Sequence, residues 1–286
     1  MLITVATVIV IAIIALAVRP AKKEPEYKGK KLSEWLAMPE GRSAGTIAAI
    51  KTVGTNALPM LASWMKCEPP FFADRILVFY AKHPAWAGAQ LVQRKWGQAA
   101  RDERRRQAIR SFFMLGEEAG GAASHLQSVA RSCDNPQHTA GVLSCLGCIG
   151  KPGLPALLEV AADKKRADRA AAVNAIYRSA QRYGTDGGTA VPVIVQCLQT
   201  TNTNLQIIAA KTVGRMRMRP DIAVPALAQT LRSNDRNLRL AAMEALVEFH
   251  ASGRPALPMV KEVLTDPDAS VRSTAEAYLQ TVTWED

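Results

Sequence analysis

Between Asn204 and Leu279 the chain repeats itself at an offset of 33 residues. Asn204 and Leu205 return as Asn237 and Leu238, Ala209 as Ala242, Val213 as Leu246, Pro225 as Pro258 and Leu231 as Leu264; a further copy has begun by Arg272, with Ala275 and Leu279. Self-similarity at this period belongs to stacked supersecondary units, each too small to bury its own apolar face, and excludes a single closed domain.

One unit reads as helix, break, proline, helix. Leu238, Ala242, Ala245 and Leu246 recur at three- and four-residue spacing, which aligns them on one helix face. A polar break with Gly253 and Arg254 follows, and Pro258 then falls in the first turn of a second helix, where a missing amide proton costs little. Leu257, Val260, Val263 and Leu264 form the second stripe. Asp266-Pro267-Asp268 closes the unit, because the residue before proline avoids helical geometry and Asp268 is suited to cap the next helix. Arg239 and Arg272 keep a fixed register, which predicts packing or pairing with Asp235 and Asp268.

The unit, an Arg followed by Ala and Leu at helical spacing, a turn, and Pro-x-Leu-x-x-x-x-Leu, resembles the HEAT repeat, including the variety named for phycobilisome lyases. The resemblance covers residues 43–282. It implies an all-α, right-handed α-solenoid of about seven helical pairs over 43–286, and is uninformative about function, since such arrays serve unrelated tasks.

Earlier copies fit the same frame. Ile47, Ile50 and Val53 precede Gly54 and Pro59; Leu143, Leu146 and Ile149 precede Gly150 and Pro155; Ile109, Phe112 and Leu115 precede Gly116, with Gly121 in the proline position. Glycine there ends the first helix in a left-handed cap. Phe71 to Trp96 is expected to be a divergent pair with Ile76, Phe79 and Tyr80 on one face, and Asp168 to Leu198 another, lengthened around Gly184 to Gly188. Seven pairs and a final helix ending near Val282 result.

The N-terminus departs from the repeat. Residues 2–18 carry no charge and would span roughly 26 Å as a helix, at the short limit for crossing a membrane. We expect a transmembrane anchor over 1–18; the alternative, a cleaved signal peptide, has Ala15-Leu16-Ala17 as cleavage pattern but no basic residue before the apolar run. Arg19, Lys22, Lys23, Lys28, Lys30 and Lys31 follow the run, and positive flanks stay cytoplasmic, so the charge rule places the repeats on the cytoplasmic side, with export as the alternative. The same residues could rest on anionic lipid headgroups. Residues 19–42 read as a basic linker and a short capping helix, begun by Ser33, whose Trp35 and Leu36 cover the first repeat. The stretch Tyr27 to Leu36 resembles a lead-in before HEAT arrays in some bacterial envelope-associated proteins, which favours export.

Charge narrows the partners. The chain carries a formal +11, of which +4 lies in residues 19–31. Three clusters stand out in the array: Arg104, Arg105 and Arg106, flanked by Arg101 and Arg110; Lys164, Lys165 and Arg166, followed by Arg169; and Arg215, Arg217 and Arg219. Inter-helix loops of a solenoid could line them up as one basic ridge for nucleic acid, yet no aromatic residues interleave with them to stack on bases. Solvated outer faces are the plainer reading.

Cys133, His138, Cys145 and Cys148 fall close together, but structural zinc sites bring two ligand pairs from separated turns, so buried thiols explain the cysteines better than metal. Five cysteines without evident pairing fit a reducing compartment. Di-iron hydroxylases built from HEAT repeats carry His-Glu pairs, whereas His83, His125, His138 and His250 are each followed by another residue type. No phosphate loop or Ser/His/Asp set is present. The expectation is a non-enzymatic, membrane-tethered scaffold without cofactor that binds a protein partner through the concave face. A basic solenoid binding nucleic acid comes second, and a lyase-like or glycosylase-like enzyme third.

Overall fold

The computed structural model describes residues 24–38, 44–66, 97–133 and 135–283, together with Val78 and Lys82. The expected anchor at 2–18 and the divergent pair at 71–96 fall outside the described residues, save Val78 and Lys82. Among the described residues no helix is long and apolar enough to cross a membrane.

Helices dominate, arranged as consecutive antiparallel pairs. A hairpin of β1 (Glu26–Tyr27) and β2 (Lys30–Lys31) leads into α1 (Leu32–Leu36). Six pairs follow: α2 (Ala44–Val53) with α3 (Leu58–Trp64), α4 (Gln98–Leu115) with α5 (Ala123–Ser132), α6 (Pro136–Ile149) with α7 (Leu154–Ala162), α8 (Arg169–Ser179) with α9 (Val191–Leu198), α10 (Thr203–Met216) with α11 (Pro220–Thr230), and α12 (Arg236–Val247) with α13 (Leu257–Val263). The last element is α14 (Ala269–Thr283). Each first helix packs on the first helix of the next pair, and each second helix on that same neighbour, so one continuous apolar core runs the length of the array. Both α2 and α3 pack directly on α4, so the first two described pairs are immediate neighbours in the stack although some thirty residues of chain separate them.

Turn chemistry sets the repeat. Gly54, Gly116 and Gly150 sit at positive φ just after the first helix of their pairs, and Gly184 does so beyond the extra turn, Ala180–Arg182, that follows α8. In the last two pairs Arg217 (φ 51°) and His250 (φ 47°) take that place and pay for a conformation that L side chains resist by about 1–2 kcal/mol. Replacing the exposed His250 by Gly should therefore raise stability by about 0.5–1 kcal/mol in urea unfolding, after the extra backbone entropy of glycine is counted. A second helix starts on or near proline at Pro59, Pro155, Pro192, Pro220 and Pro258. Pro225 is different. It aligns with Pro258, but α11 begins five residues earlier, at Pro220, and encloses it, because the turn from Arg217 to Arg219 is short and Asp221 supplies an acidic first turn.

A short helix, α1, packs on α2 at the start of the described array. Leu32 and Leu36 are buried, and the Trp35 indole donates to the Tyr27 carbonyl at 3.0 Å. Trp35 also lies so close to Gly45 that a Cβ there would come within 2.8 Å of the ring. The helix nevertheless begins at Leu32, not Ser33; the Ser33 amide donates to the Glu24 carboxylate at 2.5 Å. Gly214 permits a close approach of α10 and α12, since a Cβ would stand 2.6 Å from the Cα of Ala245.

Buried charge ties neighbouring units together. Arg239 pairs with Asp266 of the following loop through two bonds of 2.7 and 2.9 Å, and not with Asp235. Asp235 instead caps α12, accepting the Leu238 amide at 2.9 Å. Likewise Arg272 donates to the carbonyls of Asp266 and Pro267, while Asp268 accepts the Ser270 and Val271 amides and pairs with Arg236. The arginine register is thus a loop brace, satisfying carbonyls of the preceding loop that lie outside any helix.

Candidate functional site

The second helices present one exposed row at matching register: Ser63, Ser128, Glu159, Gln196, Gln229 and Glu262. One turn further along, Lys66, Arg131, Ala162, Gln199, Arg232 and Thr265 are also exposed. The opposite stripe of each helix, such as Leu61, Leu126, Leu157, Ile194, Leu227 and Val260, is fully buried, so the row is fixed in direction by the core.

Neighbours brace two members of the row. Glu159 accepts from Gln127 at 2.7 Å and from both Arg131 nitrogens at 2.6 and 2.7 Å, and these bonds hold its carboxyl below the usual range. Glu262 lies 3.4 Å from Arg232. Between them Gln196 and Gln229 expose side-chain amides that have no hydrogen-bond partner among the described residues. Each amide offers two donors and an acceptor, the complement of a peptide unit. At the N-terminal end a groove of about 670 Å³ lies between α3 and α5, lined by Met60, Trp64, Lys66, His125, Ser128 and Val129.

The nine basic candidates do not form one ridge. Arg104, Arg105 and Arg106 lie on α4: Arg105 is buried and bonds Asp102 at 2.9 Å, Arg106 pairs with Glu103 at 2.6 Å, and burial lowers the pKa of Arg104. Lys164, Lys165 and Arg166 lie in the turn between pairs, where Arg166 clamps Asp168 and the Ala130 carbonyl of α5. Arg215, Arg217 and Arg219 lie at the turn within a pair, at the opposite end of the antiparallel helices; Arg215 stacks on Tyr177 at 4.9 Å, Arg217 stands 3.9 Å from Glu248, and Arg219 pairs with Asp221 at 2.9 Å. Lys164 and Lys165 alone among the nine have no ion-pair or ring partner among the described residues. Arg169 turns inward to the Ala161 carbonyl and the Cys197 sulfur.

The cysteine and histidine group is dispersed. Cys145 and Cys148 are buried free thiols whose pKa values burial pushes up, and Cys148 contacts the Phe112 carbonyl at 3.7 Å. His138 stands 3.9 Å from Asp102, and burial together with Arg105 lowers its pKa. Cys133 is disulfide-bonded, contrary to the expectation of unpaired thiols. Among the described residues no three His, Cys, Asp or Glu side chains are placed to hold a metal.

A sequence model described as HEAT repeats matches residues 191–280, that is α9, the last two pairs and most of α14. No curated protein matches the chain. Among solved structures, the chain is similar to a designed armadillo repeat protein in complex with the peptide (KR)4, with 13% identity, 63% of this chain and 94% of that one covered, and a TM-score of 0.45. An engineered protein shows 17% identity over 88% of this chain and 77% of its own, with a TM-score of 0.48. Human deoxyhypusine hydroxylase in complex with glycerol shows 17% identity over 82% and 98%, with a TM-score of 0.32.

Proposed function

We propose that this chain is a non-catalytic protein-interaction scaffold, tethered to a membrane through residues 2–18, which holds an extended segment of a partner protein along its second helices. The observation that carries this is the exposed row on those helices, which includes the amides of Gln196 and Gln229, without a hydrogen-bond partner among the described residues. An extended segment laid across the row would meet one side chain per helix, and amides at successive helices would engage its backbone groups whatever its side chains. A rigid row also spares the binding partner the cost of ordering it. The basic clusters favour this over nucleic acid, because most of their charge is already spent on intramolecular carboxylates and on Tyr177.

A photo-crosslinking residue at Gln229 of the full chain, in the cells that make it, should give a discrete protein adduct that one at Glu244, exposed on a first helix, does not. With the captured partner purified, Q196R/Q229R should weaken binding at least about tenfold, or 1.4 kcal/mol. Equal adducts at both positions, or an adduct with nucleic acid lost steeply with added salt, would defeat the reading.

A further inference from the structure

We infer that the row on the second helices selects an extended partner segment whose middle is uncharged and polar, rich in Asn, Gln, Ser or Thr. This rests on the scaffold reading and names the partner's chemistry. The chain holds 36 basic and 25 acidic residues, yet α9 has no charged residue and α11 has only Asp221, in its first turn and paired with Arg219. The stretch that leads from α9 to α10, Gln199 to Asn202, is uncharged as well.

On either side the same positions carry charge. Arg131 of α5 reaches Glu159 of α7 at 2.6 Å, and Arg232 of α11 reaches Glu262 of α13 at 3.4 Å. At the two interfaces between them, the residues in those places are Ala162 with Gln196 and Gln199 with Gln229. The face is therefore an uncharged polar strip bounded on both sides by ion pairs that join successive second helices. Second helices about 9 Å apart put α7 and α13 roughly 27 Å from each other, the length of about eight extended residues.

The chemistry of the strip dictates what can lie on it. A charged side chain would lose hydration there without gaining a counter-ion. The loop after α7 does carry charge, in Asp163, Lys164 and Lys165, so a charged residue finds a counter-ion toward that edge, but neither α9 nor the body of α11 supplies one. An apolar side chain would cover the amides of Gln196 and Gln229 and leave them unsatisfied. Amide and hydroxyl side chains meet both demands. The glutamine amides donate and accept, and Thr200 and Thr230, whose hydroxyls donate to the Cys197 and Ala226 carbonyls, keep lone pairs with which to accept.

The test is selection of random dodecapeptides displayed on phage against the purified full-length protein, with Q196R/Q229R as the counter-target, so that peptides lost on the variant are those held by the strip. Their central four positions should be depleted of charge and enriched in Asn, Gln, Ser and Thr. In fluorescence anisotropy, a central Lys, Glu or Leu should weaken a selected peptide at least about tenfold. Q196E/Q229E, which keeps the shape of both exposed side chains, should bind the Lys-centred peptide at least about tenfold more tightly than the wild type does. Strip-dependent peptides with charged or apolar centres would overturn the inference and leave the scaffold reading standing. The absence of any strip-dependent peptide would also overturn it, and the scaffold reading falls with it only if the crosslinker at Gln229 captures no protein.

Discussion

Asp266→Ala should lower the stability of the array by about 3–5 kcal/mol, because it strands the Arg239 guanidinium in a buried site without its partner. Both side chains are enclosed, at 12% and 6% exposure, and two bonds join them across 27 residues of sequence. Arg239 also donates to the carbonyls of Ser233 and Asn234, so the guanidinium cannot swing out to water without opening the loop. Replacing both residues by apolar ones, R239M/D266L, should recover most of the loss, which separates the cost of a stranded charge from the worth of the pair. The pair also has a pH signature. The hydrogen bond from Arg239 holds the Asp266 carboxyl below its ordinary value. A carboxylate with a folded-state pKa below its unfolded value contributes stability that is complete above the unfolded value of about 3.9 and is lost as pH falls through the folded value. The gap between wild type and D266A in urea midpoint should accordingly narrow below about pH 4. A gap under about 1 kcal/mol at neutral pH would mean that water already reaches the pair.

The same pair marks the boundary of what the sequence reveals. Periodicity and the glycine and proline positions make the helical pairs legible, since they follow from local backbone rules: Gly54, Gly116, Gly150 and Gly184 stand where left-handed turns are needed. The fixed register of Arg239 also signals a structural role, yet points to Asp235 as partner. Asp235 is nearer in sequence, but its carboxylate is committed to the first turn of α12, and the guanidinium reaches forward to the next loop. Long side chains choose partners in three dimensions. The basic clusters behave alike: Asp102, Glu103 and Asp221 are near enough in sequence to be read as neutralising partners, whereas the Ala130 carbonyl beneath Arg166 and the Tyr177 ring beneath Arg215 are supplied by neighbouring pairs. The exposed row escapes the sequence for another reason. Apolar stripes announce which face of a helix is buried, but polar positions announce only that they are not, and the common direction of Gln196 and Gln229 appears once the pairs are stacked.

Leu146→Ala should cost about 3 kcal/mol and, more tellingly, change how the molecule unfolds. Leu146 is fully buried near the C-terminal end of α6, which packs on α4 before it and α8 after it. Its surroundings cannot close over the deleted atoms, because the turn after α6 is already in contact: a Cβ on Gly153 would lie 2.0 Å from the Leu146 carbonyl oxygen. The lost transfer free energy and the residual cavity therefore add. In a stacked array each unit is stabilised by its immediate neighbours alone, so a weak point in the middle separates the pairs before it from the pairs after it. Urea unfolding of L146A should split into two transitions, each with a smaller slope than the wild-type one, as the buried area released in each step is smaller. Val271→Ala offers the contrast. Val271 is equally buried but lies in α14, at the end of the described array, so its loss should fray the last unit and leave the main transition whole. If L146A still unfolds in one step with an undiminished slope, the pairs do not behave as a chain of nearest neighbours, and the whole array is one cooperative unit.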